Sequence, residues 1–233
     1  MPLPIYLAMT AAEFRQNPTI SGKIGWMACH FSPYGTGLSN CPTELPHGSM
    51  LILNDRTPVC GHDPALIAAQ LAEVAGTLNC SRVLLDLQRP GNARTVQIAK
   101  AVAEALPCPV AVSACYAEEL CCPVFLPPVP PLQPPQEYLT AWQQREIWLE
   151  LALGGARYTV TEAGCQPEAE DPFGEYPHTD TALCCRYRME MEADKVIFHV
   201  AKDRILLTEI LEKAKNVTCL VGLYQELGWL SDQ

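Results

Sequence analysis

Asp86 interrupts an otherwise apolar run, Val83-Leu84-Leu85-Asp86-Leu87-Gln88. A carboxylate inside such a strand costs free energy unless it is hydrogen-bonded or used. Its chemistry would be that of a carboxyl group: proton transfer or charge stabilisation at a strand end. Gln88, two residues on, shares its face. Other polar side chains stand where further strands are expected to close: His30, Asp55 and Arg56, Arg89, Tyr116, Glu118 and Glu119, Glu162, then Tyr224, Gln225 and Glu226. Plainer roles compete for each. Asp55 beside Arg56 reads equally as a surface pair of small energetic weight. Glu118-Glu119 suits the first turn of a solvated helix, and His30 ahead of Ser32-Pro33 suits a strand terminus.

The elements that would position these residues alternate between strand and helix. Strands are expected near 5–9, 23–31, 49–54, 82–88, 109–115, 123–127, 157–162 and 217–224. The run 83–85 is continuously apolar, as a parallel strand buried on both faces should be. Thr10 to Glu13 has capping-box spacing. Asp63-Pro64 supplies an N-cap and an N1 proline ahead of Ile67, Leu71, Val74 and Leu78 at helical spacing. A long helix is expected over 137–153, closed by Gly154-Gly155. Seven of the thirteen residues from 123 to 135 are proline, which stiffens that loop and bars regular structure. The segments 183–191 and 195–200 flank Glu192-Ala193-Asp194 as a hairpin.

Eight strands alternating with helices in 233 residues predict an α/β fold, a (β/α)8 TIM barrel. The whole chain, 1–233, would be one domain carrying a β-hairpin, 183–200, inserted between strands seven and eight. A doubly wound open sheet would want a glycine-rich phosphate turn, and Gly35-Thr36-Gly37-Leu38-Ser39 lacks the third glycine. A barrel of this kind works at the C-terminal ends of its strands, where the polar residues named above collect.

Composition narrows the partners. Sixteen basic against twenty-six acidic residues give a net charge of −10, which speaks against nucleic acid. Hydrophobic residues make up 48%, enough for a large core. No apolar run is long enough to span a bilayer, and no cationic side chain precedes Arg15, so no charged start of a signal peptide is read there. A cytoplasmic location is expected. Twelve cysteines without a Cys-x-x-Cys or a zinc-finger spacing are expected to be reduced and small, often buried, with no metal or cofactor implied.

From Ile67 to Gly91 the chain runs through an amphipathic helix, a Cys-Ser-Arg turn and Val-Leu-Leu-Asp-Leu-Gln-Arg-Pro-Gly. This resembles the fourth strand of glycoside hydrolase family 18, the chitinase and endoglycosidase group, which ends in Asp-Gly-x-Asp-x-Asp-x-Glu and is often followed by an aromatic residue, Pro and Gly. Asp86 falls on the last Asp, and Pro90-Gly91 match the tail. The segment Leu223-Tyr224-Gln225-Glu226-Leu227-Gly228 resembles the Trp-Glu-Leu-Gly-like close of that family. The resemblance covers about 60–110 and 183–230. It implies a barrel that takes a glycan such as a chito-oligosaccharide; the strand-end positions of Asp55, Tyr116, Tyr224, Gln225 and Glu226 make them the substrate-binding candidates.

The departures from the family pattern bear on catalysis. The terminal Glu, which protonates the glycosidic oxygen, is Gln88, whose carboxamide can hydrogen-bond but holds no acid near neutral pH. The two earlier Asp positions are Ser81 and Leu84, and Gln225 replaces the Trp that floors the sugar subsite. The resemblance therefore implies a relative impaired in the ordinary chemistry: a chitinase-like pseudoenzyme that binds carbohydrate. Two alternatives stand beside it. One is a hydrolase with a relocated carboxylate pair drawn from Glu118, Glu162 and Glu226. The other is a non-catalytic interaction barrel that docks partners on its proline loop.

Overall fold

The structure is a computed structural model and describes residues 3–17, 20, 23–89, 93–152, 154–170 and 174–227. Leu153, Pro90, Gly91 and Gly228, which enter the expectations above, lie outside these residues.

Strand β1 (Ile5–Met9) leads into helix α1 (Ala11–Gln16), β2 (Lys23–Phe31), the short β3 (Leu38–Ser39) and β4 (Met50–Asn54). Helix α2 (Pro64–Thr77), β5 (Arg82–Asp86), α3 (Ala93–Ala105), β6 (Val110–Ser113), a 3-10 turn at Ala114–Tyr116 and β7 (Val124–Leu126) follow. Helix α4 (Pro135–Thr140) precedes β8 (Ile147–Glu150). Then come five strands, β9 (Gly155–Thr161), β10 (Gly164–Glu170), β11 (His178–Asp180), β12 (Cys185–Met191) and β13 (Val196–Lys202). Helix α5 (Arg204–Lys213), β14 (Val217–Leu223) and α6 (Tyr224–Leu227) end the described chain.

Two sheets result. One runs β1-β14-β8-β7-β6-β5-β4-β2, all parallel, and closes through a β1–β2 pairing; β3 adds an antiparallel edge to β2. This is the eight-stranded (β/α)8 barrel. The other, β10-β9-β13-β12-β11, is antiparallel and lies in sequence between the seventh and eighth barrel strands. The expected hairpin is its β12–β13 pair, so the insertion is a five-stranded sheet rather than a hairpin alone.

The expected long helix over 137–153 and the expected seventh strand at 157–162 are both corrected. Helix α4 ends at Thr140, and the seventh barrel strand is β8, paired to β7 and β14. The stretch at 157–162 falls in β9 and its turn, within the inserted sheet. Arg145 shows what overrides helical propensity here. Its guanidinium donates to the carbonyls of Ala117, Leu120 and Cys122 at 2.7–2.9 Å, anchoring the start of β8 beneath the β6–β7 connection.

Local signals explain the helices that do form. Thr10 and Glu13 make a reciprocal capping box on α1. Asp63 caps α2, with Pro64 at its first position, and Asp203 caps α5. On α3 the buried face is Thr95, Ile98, Ala99 and Val102, which turns Val96 and Ala103 to the half-buried flank.

Barrel strands alternate their side chains between helices and axis. Val83, Leu85 and Leu87 pack on the helix side with Ile67, Leu71 and Ile98, and Ile147, Leu149 and Leu151 do so with Leu207 and Leu211. Tyr6, Ala8, Met50, Ile52, Leu84, Ala111, Phe125, Trp148, Cys219 and Val221 fill the interior. At the N-terminal end of the barrel Arg82 donates to the Tyr6 hydroxyl at 2.9 Å, and its guanidinium lies 5.6 Å from the ring centroids of both Tyr6 and Trp148. The barrel interior is therefore plugged at this end.

Candidate active site at the barrel mouth

The site begins where the interior plug stops. One step further along the inward face of β5, past Leu84, stands Asp86. One step past Trp148 on β8 stands Glu150. Asn54 follows Ile52 on β4 and pairs in register with Asp86, while Ser113 follows Ala111 on β6. Alternation thus sets two carboxylates, an amide and a hydroxyl in one ring at the mouth.

A cleft of about 740 Å³ opens on one side of this ring. Its walls include Thr10, Met27, His30, Asn40, Asn54, Asp55, Arg56, Asp86 and Gln88. Part of its shape comes from a register irregularity in β2 between Trp26 and Cys29, which re-aims Met27 and Ala28 into the cleft. His30 is fixed from both sides. Its Nδ1 lies 3.0 Å from the Phe31 carbonyl and its Nε2 lies 3.0 Å from the Asn40 amide. A carbonyl only accepts, so Nδ1 carries the proton toward Phe31.

Asp86 accepts a hydrogen bond from the Gln88 amide at 3.0 Å. Burial raises its carboxyl above the ordinary value and the nearby Asp55 adds to that, while the Gln88 and Ser113 hydrogen bonds pull the other way. Glu150 is perturbed more. Burial, with the charges of Asp86 and then Glu226 nearby, pushes it up to about 7. The neighbouring Tyr138 phenol is pushed to about 12, by burial first and the Glu150 charge second, while its hydroxyl donates to the Pro127 carbonyl at 2.9 Å.

The other sequence candidates divide. Asp55 lines the cleft but is buried, and it accepts the backbone N–H groups of Gln88 at 3.2 Å and Arg89 at 2.7 Å. Arg89 returns a bond to the Asp55 carbonyl at 2.8 Å. Asp55 thereby holds the loop that presents Gln88. Tyr116, expected to bind substrate, is buried on the helix side of the barrel, and its hydroxyl donates to the Arg89 carbonyl at 3.1 Å. Its ring is core and its hydroxyl a loop tether. Glu118 is exposed on the turn after the 3-10 helix. Glu162 sits exposed in the β9–β10 turn of the inserted sheet, away from any barrel strand end, because the seventh strand lies earlier in the chain. Tyr224, Gln225 and Glu226 form α6 directly after β14. Gln225 hydrogen-bonds Glu13 and, with the Thr10 backbone and hydroxyl, brings that carboxyl below its ordinary value against the opposing effect of burial. Glu226 acts on Glu150 through its charge.

Sequence reasoning missed Glu150, because it fell inside the expected helix. A signal was available: Ile147-Trp148-Leu149-Glu150-Leu151 repeats the pattern of Val83-Leu84-Leu85-Asp86-Leu87, three apolar residues, a carboxylate, then Leu. Among the described residues no group of three or more His, Cys, Asp or Glu side chains is placed to hold a metal ion, and no helix is long and apolar enough to cross a membrane.

No model of a known protein family matches the chain, and no curated protein sequence matches it. Among solved structures the fold is similar to that of the spore cortex-lytic enzyme SleL from Bacillus megaterium QM B1551, with a TM-score of 0.58 at 10% sequence identity over 95% of this chain and 70% of that one. At that identity the likeness is one of fold: this chain is an α/β barrel built like that of the cortex-lytic enzyme.

Proposed function

We propose that the chain is a glycan-directed, hydrolase-like barrel in which Glu150 carries the proton and Asp86 faces the sugar. One arrangement carries this reading: two carboxylates stand on inward strand positions at the mouth, Asp86 in the cleft wall and Glu150 on the ring beside it, and burial with the neighbouring charges pushes Glu150 up to about 7. Glycoside hydrolysis needs such an unlike pair, a carboxyl that keeps its proton near neutral pH and another that stays charged. The family 18 resemblance of the fourth strand and the barrel likeness to a cortex-lytic enzyme support it. Against the family pattern, the proton donor has moved from the fourth barrel strand, where Gln88 stands, to the seventh.

Each residue then has a part. A sugar chain lies in the cleft beside His30, Asn54 and Asp86. The Gln88 amide fixes one Asp86 oxygen, leaving the other to orient the substrate or stabilise positive charge at the anomeric carbon. Glu150 donates its proton to the departing glycosidic oxygen and, once charged, accepts one from the attacking water. Asp55 holds the Gln88 loop without touching the sugar.

The test is hydrolysis of aryl chitobiosides and of purified spore cortex by wild type and Glu150→Gln, with binding measured in parallel. The reading expects cleavage of one of these by wild type and a loss of about 10²–10⁴-fold in rate for the variant at unchanged affinity. Cleavage that survives Glu150→Gln contradicts it. Tight glycan binding with no cleavage by wild type replaces it with the carbohydrate-binding, non-catalytic reading.

A further inference from the structure

We propose that Cys29 and Cys41 are a redox site: a dithiol that a small-molecule disulfide converts to an intramolecular disulfide, shifting the Asn40–His30 wall of the mouth cleft. This goes beyond the glycan reading and does not depend on it. The two sulfurs lie 3.5 Å apart, with Cys29 on β2 and Cys41 just past β3. Cys29 is fully buried among the helix-side core. Cys41 is only partly buried and lines a separate surface groove of about 430 Å³ with Pro42, Gln70 and Glu73. A small oxidant can therefore reach one sulfur of the pair and not the other.

The two thiols are also unlike. The contact with Cys41, reinforced by burial, pushes the Cys29 thiol well up. The hydrogen bond from Cys29 lowers Cys41, against the smaller opposing effect of burial. Cys41 is thus the better nucleophile and Cys29 the resolving thiol. The Cys41 thiolate attacks one sulfur of the small disulfide, forming a mixed disulfide and releasing one thiolate. Cys29 then attacks the Cys41 sulfur, losing its proton, and displaces the second thiolate. The two protein thiols are oxidised, the small disulfide is reduced to two thiols, and both protons end on those products.

The consequence for the cleft follows from the chain neighbours. Cys29 precedes His30, and Cys41 follows Asn40. Asn40 has a left-handed backbone, φ 55°, and it ties three things together. Its amide reaches His30 Nε2 at 3.0 Å, its carbonyl accepts from the Trp26 indole at 3.0 Å, and it lines the mouth cleft with His30. Closing 3.5 Å to a disulfide bond of about 2.05 Å moves this segment against β2.

The chain itself supplies the assay. Residues 24–56 form one tryptic peptide that contains Cys29 and Cys41 and no other cysteine. Intact protein is incubated with oxidised glutathione, then unfolded in guanidinium with N-ethylmaleimide present so that every free thiol is blocked, and digested without reductant. The expected result is a 24–56 peptide that has lost two hydrogens and carries no maleimide, whereas reduced protein yields the same peptide with two maleimides. In Cys41→Ser the peptide keeps a maleimide-reactive Cys29. The Trp26 indole N–H resonance shifts on oxidation of wild type and stays in place in the variant. A fully alkylatable 24–56 peptide, under conditions that glutathionylate the exposed Cys60, Cys115 or Cys121, overturns the site. So does arrest at a glutathione adduct. An internal disulfide that leaves the Trp26 signal unmoved overturns the coupling to the cleft. The wild-type peptide map decides the first point whether or not the variant folds.

Discussion

Glu150 occupies on the seventh barrel strand the position that Asp86 occupies on the fourth: each lies two residues beyond an interior plug residue, Trp148 in one strand and Leu84 in the other. The barrel therefore aims both carboxyls at one opening, and their charges oppose each other there. Glu150, pushed to about 7 by burial and by Asp86 and Glu226, is the one that keeps a share of its proton at neutral pH.

That proton has a stability signature. The folded chain holds the Glu150 proton up to about 7, whereas an unfolded carboxyl of this type releases it near 4.5. The folded state thus binds the proton more tightly. Its advantage is complete below 4.5 and is lost as pH rises through about 7. Glu150→Gln removes the titration, so the variant should gain about 1–2 kcal/mol over wild type at pH 8 and nothing at pH 4, the full shift being discounted for partial exposure. Urea unfolding at the two pH values measures this. A variant equally destabilised at both would place Glu150 in a structural role.

Asp55 should behave as scaffold. Asp55→Ala strips the acceptor from two backbone N–H groups in the loop that presents Gln88. The expected loss is about 1–2 kcal/mol, since two part-buried N–H groups lose the carboxylate that accepts them. Chemical denaturation reads it. A loss below about 0.5 kcal/mol would mean that the loop is held by other contacts.

Gln88→Glu should hinder, although the family pattern has an acid there. The new carboxylate replaces an amide donor 3.0 Å from Asp86, so two like charges must share a proton. The Asp86 carboxyl is expected to titrate higher, and any glycan cleavage at pH 7 to fall rather than rise. Carbon-13 carboxyl titration and a rate assay report the two effects. A faster variant would return the acid to the fourth strand.

Much of the barrel was legible in the sequence because its signals are local. The apolar run at 83–85 marks a strand buried on two faces, and Thr10 with Glu13 and Asp63 with Pro64 mark helix starts. The segment 137–153 misled because it contains no Gly or Pro to divide helix from strand, and the division is made by tertiary contacts of Arg145. That single error displaced the seventh strand, put Glu162 at a mouth it does not reach, and hid Glu150. Tyr116 failed differently: it sits at a strand end, but the 3-10 turn rotates its ring into the helix-side core.

A direct titration of Glu150 goes to the centre of the account. Carbon-13 carboxyl spectra of protein labelled at glutamate, assigned by loss of one signal in Glu150→Gln, should give a Glu150 midpoint near 7. Asp86→Asn should lower that midpoint without restoring the ordinary 4.5, because burial remains as the larger cause. A wild-type midpoint near 4.5, or one indifferent to Asp86→Asn, would contradict the assignment of Glu150 as the proton donor of this barrel.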